Sequence, residues 1–150
     1  MKYAGFWIRF VAWLIDYAVL SVMIFVLTFF FGIVIGLALG SSGDLSGGET
    51  IGVLNFLGFS LGIIVQWLYY AIMESSSKQA TLGKMAVGIK VIDLEGNRIS
   101  FGRATARSFA KILSGLIFCI GYFMIGWTRE KQGLHDMIAG TLVIYNKQKE

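Results

Sequence analysis

Three long stretches without a charged residue limit this chain more than any other feature. Asp16 and Asp44 bracket 27 uncharged residues, Thr50 to Met73 adds 24 more, and Lys111 and Arg129 bracket 17. A helix needs about 20 apolar residues, within a range of about 17 to 25, to cross hydrocarbon. The first two stretches meet that requirement and the third sits at its lower limit. Composition points the same way: 56% of residues are hydrophobic and only 15% are charged, against roughly 25% charged in soluble domains. A chain of 150 residues has much surface for its volume and too few charges to cover it. A mean hydropathy of +0.71 therefore calls for lipid as part of the solvent. The expected fold is an all-α helical membrane protein with a small cytoplasmic β element, in a single domain over 1–150. Two full transmembrane helices are expected over about 10–39 and 51–73, then a cytoplasmic connection over 74–108 and a third apolar segment over 109–128.

Several function classes fall away. Cys119 is the lone cysteine and His135 the lone histidine, which excludes a disulfide framework and a Cys/His metal site. No cofactor is implied. The first apolar stretch is too long for a secretory signal, whose apolar region runs to about 15 residues, and a second span follows it. Thr81-Leu-Gly83-Lys84 looks like part of a phosphate loop. However, Lys78 stands where that loop needs its first glycine and Met85 where it needs a hydroxyl. No nucleophile–base pair or carboxylate pair suggests an enzyme.

Orientation follows from lysine and arginine in short loops. The N-terminal segment carries Lys2 and Arg9, and the first connection, 40–50, carries no basic residue. The second connection, Glu74 to Lys111, carries seven: Lys78, Lys84, Lys90, Arg98, Arg103, Arg107 and Lys111. The N-terminus and the long connection are thus expected in the cytoplasm of a multi-pass cell-membrane protein. The seven cations fit anionic lipid, at about 1 kcal/mol each near the surface, better than nucleic acid. The tail creates a conflict, because three crossings would place Arg129, Lys131, Lys147 and Lys149 outside. A re-entrant hairpin breaking near Ile120-Gly121, with Gly115, Gly121 and Gly126 as its means of bending, removes the conflict. Both arrangements stay open here.

The connection also carries β signals. Val87 to Asp93 is apolar and β-branched enough for a strand, Leu94 to Asn97 supplies turn residues, and Arg98 to Phe101 can return as a hairpin arm. Arg103 to Lys111 reads as a basic helix. Thr141 to Asn146 is a second strand candidate, able to pair with Val87 to Asp93 if the tail is cytoplasmic.

Two charges interrupt the otherwise apolar run Phe6 to Tyr17. Arg9 and Asp16 lie seven positions apart on one helix face, about 10 Å from each other. One reading places both at the headgroups, with Trp7 and Trp13 in the aromatic belt. The other turns Asp16 into the bundle, where an ionised carboxylate needs a basic partner. Glycines recur every fourth residue at Gly32, Gly36 and Gly40 and again at Gly58 and Gly62. Such faces favour close helix packing, within one chain ahead of homo-oligomerisation.

Ala4-Gly-Phe-Trp-Ile-Arg9-Phe-Val-Ala-Trp-Leu-Ile-Asp16 resembles the opening of the RDD family of membrane proteins, named for an arginine and two aspartates. Ala80-Thr-Leu-Gly-Lys84-Met-Ala-Val-Gly-Ile-Lys-Val91 and Gln132-Gly-Leu-His135-Asp136-Met-Ile-Ala-Gly-Thr141-Leu-Val resemble two further stretches of that family. Arg103-Ala-Thr-Ala-Arg107 is similar to its basic helix. The resemblance implies a polar centre of Arg9, Asp16 and Asp136. Function in the family is largely uncharacterised; transport is the usual suggestion, and some relatives are described as sodium/proton antiporters.

In this chain a coupled transporter needs a carboxylate that changes state in a low-dielectric site, Asp16 first and Asp136 second. Arg9 would hold one or both, with His135, Glu74, Lys84 and Arg107 as secondary members. The plainer reading is a permanent Arg–Asp clamp in a scaffold or accessory protein that binds partners and anionic lipid. A single copy shows no internal repeat, so transport would demand an oligomer or a membrane partner.

Overall fold

The computed structural model describes residues 1–40, 48–116 and 120–146. The Gly/Ser-rich first connection, the three residues before Ile120, Cys119 among them, and the tail cations Lys147 and Lys149 lie outside the described residues. In chain order the elements are α1 (Phe6–Gly40), α2 (Gly48–Ser75), α3 (Leu82–Ala86), β1 (Ile89–Asp93), α4 (Phe101–Leu116), α5 (Ile120–Phe123), a 3₁₀ turn (Met124–Gly126), α6 (Leu134–Ala139) and β2 (Thr141–Tyr145). Two units result, one of Met1–Tyr17 with Trp67 onward, the other of Ala18–Gln66.

Ala18–Gln66 consists of the apolar parts of α1 and α2. The candidate spans Phe6–Ala38 and Ile51–Ser75 hold 33 and 25 residues. At 1.5 Å per residue they reach about 50 and 38 Å, ample for a hydrocarbon core of about 30 Å. Their bulky side chains, such as Phe25, Phe30, Phe56 and Phe59, are exposed rather than buried in protein. That is the opposite of a soluble core helix. The glycine faces behave differently from the expected close packing. A Cβ at Gly62 would touch Ile24 at 3.8 Å, whereas Gly32, Gly36 and Gly58 face open space. Of the four sites only Gly62 is at such a contact.

The other unit is built on a two-stranded antiparallel sheet, β1 with β2, in the register Ile89↔Tyr145 to Asp93↔Thr141. Two strands alone are marginal in water, so the edges matter. On the outer edge of β2, Ala4 N–H donates to Val143 O (2.9 Å) and Tyr145 N–H to Lys2 O (3.0 Å). On the outer edge of β1, Val91 N–H donates to Gln79 O (2.7 Å). Ile89, Val91, Ile99 and Val143 pack with the small residues Ala4, Ala12, Ala71 and Ala104 into the core. Each such buried branched side chain stabilises by about 1.5–3 kcal/mol.

Arg98 to Phe101 is not a hairpin arm. Asp93 Oδ1 accepts from Glu95 N–H and Asn97 N–H (3.0 and 2.7 Å), closing a turn. Ser100 then caps α4, its Oγ accepting from Arg103 N–H and its carbonyl from Ala104 N–H. A serine able to satisfy free helix amides outcompetes a short strand. The partner strand comes from far along the chain instead.

The third apolar stretch is not one helix. α4 is described as far as Leu116, and Gly121 lies back against it: a Cβ there would lie 2.8 Å from the Ser114 Cβ. Tyr122 O–H donates to Lys111 O at 2.9 Å, joining α5 back to α4. Glycine at 121 is what permits the two backbones to come so near.

Candidate functional site

The face of α1 that carries Arg9 and Asp16 feeds two adjoining polar centres. Asp16 is buried and ringed by neutral donors. Its Oδ1 accepts from Tyr69 O–H and from Gly83 N–H, each at 2.7 Å, and its Oδ2 from Thr81 O–H at 2.5 Å. Tyr69 in turn accepts from Leu82 N–H at 3.1 Å. The donors converge because Thr81 caps the short helix α3, presenting a hydroxyl and successive amides at its start. Gly83 is obligatory in that approach, for a Cβ would sit 2.1 Å from Ala12 O and 2.9 Å from Asp16 Cγ.

The second centre surrounds Arg107, a buried guanidinium on the inner face of α4, the face of Ala104, Arg107, Ala110 and Ser114. Its Nε and Nη2 reach Asp136 Oδ1 at 2.8 Å, and its Nη1 reaches Glu74 Oε2 at 2.8 Å. Glu74 Oε1 accepts from Lys84 Nζ, with Lys111 Nζ at 3.7 Å. Asp136 Oδ2 accepts from Arg9 Nη1 and from Gly133 N–H at 3.2 Å, at the start of α6. Arg9 spends its remaining donors on backbone: Nε on Ala4 O (3.0 Å) and Nη2 on Lys131 O (2.6 Å).

These pairings correct the sequence expectation that Arg9 or another cation neutralises Asp16. Nearly two helical turns separate the two groups, and the backbone of Gly83 fills the ground beside Asp16. Arg9 therefore engages Asp136, across 127 positions. Among the described residues no basic side chain lies within ion-pair distance of Asp16.

Electrostatics follow from burial and partners. Burial alone would raise the Asp136 carboxyl, but Arg107 and Arg9 outweigh it and hold it far below the usual carboxylate range. Burial opposes the charge on Arg107 too; Glu74 and Asp136 more than restore it, leaving its proton more firmly held than usual. Burial pulls the Lys84 ammonium down to about 7 despite Glu74, with Arg107 and Lys111 adding repulsion. His135 is pushed down to about 3, mainly by burial, against the pull of Asp136. It is thus neutral near pH 7, and its 3.5 Å approach to Asp136 is not an ion pair. Its Nδ1 sits 3.3 Å from Ser114 Oγ.

Three participants escaped the sequence reading: Tyr69, Thr81 and Gly83 are neutral and carry no charge signal. The TLGK run was visible, yet it serves a carboxylate of the chain itself. Lys111 appeared as a gap boundary, a connection cation and the end of the basic helix, but not as a neighbour of Glu74. The assumption that seven basic residues face lipid also needs correction. Lys84, Arg107 and Lys111 turn inward to Glu74, and Arg103 lies 3.5 Å from Asp93. Among the described residues no group of three or more His, Cys, Asp and Glu is placed to hold a metal ion.

A model of the RDD family matches residues 3–140. The chain belongs to the RDD family. Its family relatives include the uncharacterized protein YxaI of Bacillus subtilis (strain 168), 40% identical over 149 residues, covering 96% of this chain and 98% of the relative. The uncharacterized membrane protein YteJ of the same organism is 30% identical over 147 residues, covering 97% and 82%. The uncharacterized protein YckC, also from that organism, is 30% identical over 152 residues, covering 96% and 85%. No solved structure matches the chain significantly. YteJ's description as a membrane protein and the two long apolar helices of this chain both point to a membrane protein.

Proposed function

We propose that this RDD protein is a multi-pass, non-enzymatic scaffold or accessory protein of the bacterial cell membrane. The N-terminus and the Glu74–Lys111 connection face the cytoplasm, and the small sheet is a platform at the membrane surface. The return of Gly121 and Tyr122 to α4 and the pairing of β2 with β1 support a tail on the same side as the connection. The observation that carries the reading is closure of the polar centres. Both oxygens of Asp16, Glu74 and Asp136 are already taken by donors of the protein. Such a network behaves as a clamp, tying α1, α2, α4 and α6 together, because opening it would leave buried charge uncompensated.

A proton- or cation-coupled transporter, or a subunit of one, is the second reading, and one observation favours it. Four cations, Arg9, Lys84, Arg107 and Lys111, gather around only two carboxylates, Glu74 and Asp136. Lys84 is one bearer of that surplus, a buried ammonium pulled down to about 7.

Proteoliposomes separate the two readings. The purified chain, under imposed sodium, potassium or proton gradients, is expected to give no flux above empty vesicles, and Asp16→Asn the same. A coupled flux that Asp16→Asn abolishes while thermal unfolding is unchanged would overturn the scaffold reading.

A further inference from the structure

Beside the first turn of α1 an open groove of about 410 Å³ is lined by Lys2, Tyr3, Phe6, Trp7, Ile125 and Lys131, among others. That volume falls within the range of about 300–1,000 Å³ of small-ligand sites. No acidic residue lines it. Its two ammonium groups are uncommitted to any carboxylate among the described residues: Lys2 Nζ lies 5.2 Å above the Tyr145 ring, and Lys131 runs past Gly5. Their backbones are nonetheless fixed. Lys2 O accepts from Tyr145 N–H on the sheet edge, and Lys131 O accepts from Arg9, which also holds Ala4 O. The family arginine therefore sets the distance between the two walls. Trp7 is 75% exposed at the rim, where the chain enters its first apolar helix.

We propose that this groove seats the phosphate headgroup of an anionic phospholipid, with Lys2 and Lys131 on the phosphate and Phe6, Trp7 and Ile125 against the glycerol and first acyl carbons. Two uncommitted cations on anchored backbone, beside an acid-free and partly aromatic lining at a helix entry, match that amphiphile: charge at one end, apolar surface at the other. The connection's cations are a poorer match, since four of the seven are engaged internally. The proposal rests on the membrane reading above.

The test titrates the detergent-solubilised full chain with dioctanoyl phosphatidylglycerol, dioctanoyl phosphatidylcholine and inorganic phosphate, following tryptophan fluorescence. Phosphatidylglycerol is expected to bind more tightly than phosphatidylcholine. Lys2→Gln with Lys131→Gln is expected to weaken it by about 25-fold, or about fivefold per lysine. Lys2→Arg with Lys131→Arg retains the preference, as does Lys78→Gln with Arg98→Gln, which removes exposed charge elsewhere. Equal affinity for the two lipids, or a Gln pair that binds like wild type, overturns the proposal. Inorganic phosphate binding as tightly as phosphatidylglycerol overturns the lipid as occupant. Alkaline-resistant flotation with phosphatidylcholine vesicles is read separately: failure there sinks the membrane reading, and success leaves only the groove in question.

Discussion

Replacing Arg107 by Met tests the clamp where it is most concentrated. The guanidinium, 3% exposed, makes three contacts of 2.8 Å to two fully buried carboxylates. Met replaces the aliphatic stem but not the planar end of the side chain, so the change removes charge and donors along with the volume of the guanidinium. Glu74 keeps Lys84 and Asp136 keeps Arg9, yet each loses its central partner in a low-dielectric site. Breaking a buried pair from one side costs about 3–5 kcal/mol. At about 2–4 °C per kcal/mol for a chain of this length, the apparent melting temperature in detergent should fall by about 6–20 °C. The pH dependence carries a second signature. A carboxyl held below its unfolded value stabilises fully above that value, about 4 for Asp, and the contribution fades as pH drops below it. Wild type should therefore weaken as pH falls below about 4, whereas Arg107→Met, with Asp136 less restrained, should lose less over the same acidification. A melting temperature within about 2 °C of wild type, at neutral pH and on acidification, would refute the clamp outright.

Two further outcomes follow from the same geometry. Lys84 has a folded value of about 7, below that of an unfolded lysine, so its burial penalty is complete below pH 7 and relieved as pH rises toward 10. Wild-type stability should therefore climb over that window, and Lys84→Met should flatten the climb in melts taken at stepped pH. Gly83→Ala should cost at least about 1–3 kcal/mol through overpacking, because its new methyl meets backbone at Ala12 rather than a yielding side chain. Gly58→Ala, in open space, should melt within about 2 °C of wild type, and equal effects at the two positions would mean that Gly83 does not approach α1 as described.

Much of the fold was legible in particular residues. The uncharged runs after Asp16 and before Glu74 announced α1 and α2, and the β-branched run at 87–93 announced β1. The turn at Leu94–Asn97 was also legible, but its exit was not, because Arg98–Phe101 carries strand and helix signals at once and Ser100 decides between them only by capping. The glycine repeats at Gly32, Gly36 and Gly58 overstated packing, since glycine spacing permits contact without naming a neighbour. In the polar centres, Arg9, Asp16 and Asp136 stood out as charges in apolar surroundings. Glu74, Lys84 and Arg107 were legible as secondary members but not in their pairings, Lys111 looked like an ordinary charge of a basic connection, and Tyr69 and Thr81 looked like nothing in particular.

The amino-acid order alone determined where the two long apolar helices lie, because some twenty consecutive residues without charge are a local property of the chain. Which charge answers which was decided in three dimensions. Arg9 could reach Asp16 only along its own helix and Asp136 only after the chain had reversed, and a bare backbone at Gly83 had to press against α1 before three neutral donors could satisfy Asp16. Hydrogen-bond energies turn on tenths of an ångström between segments far apart in the chain, and residue spacing holds no record of those distances.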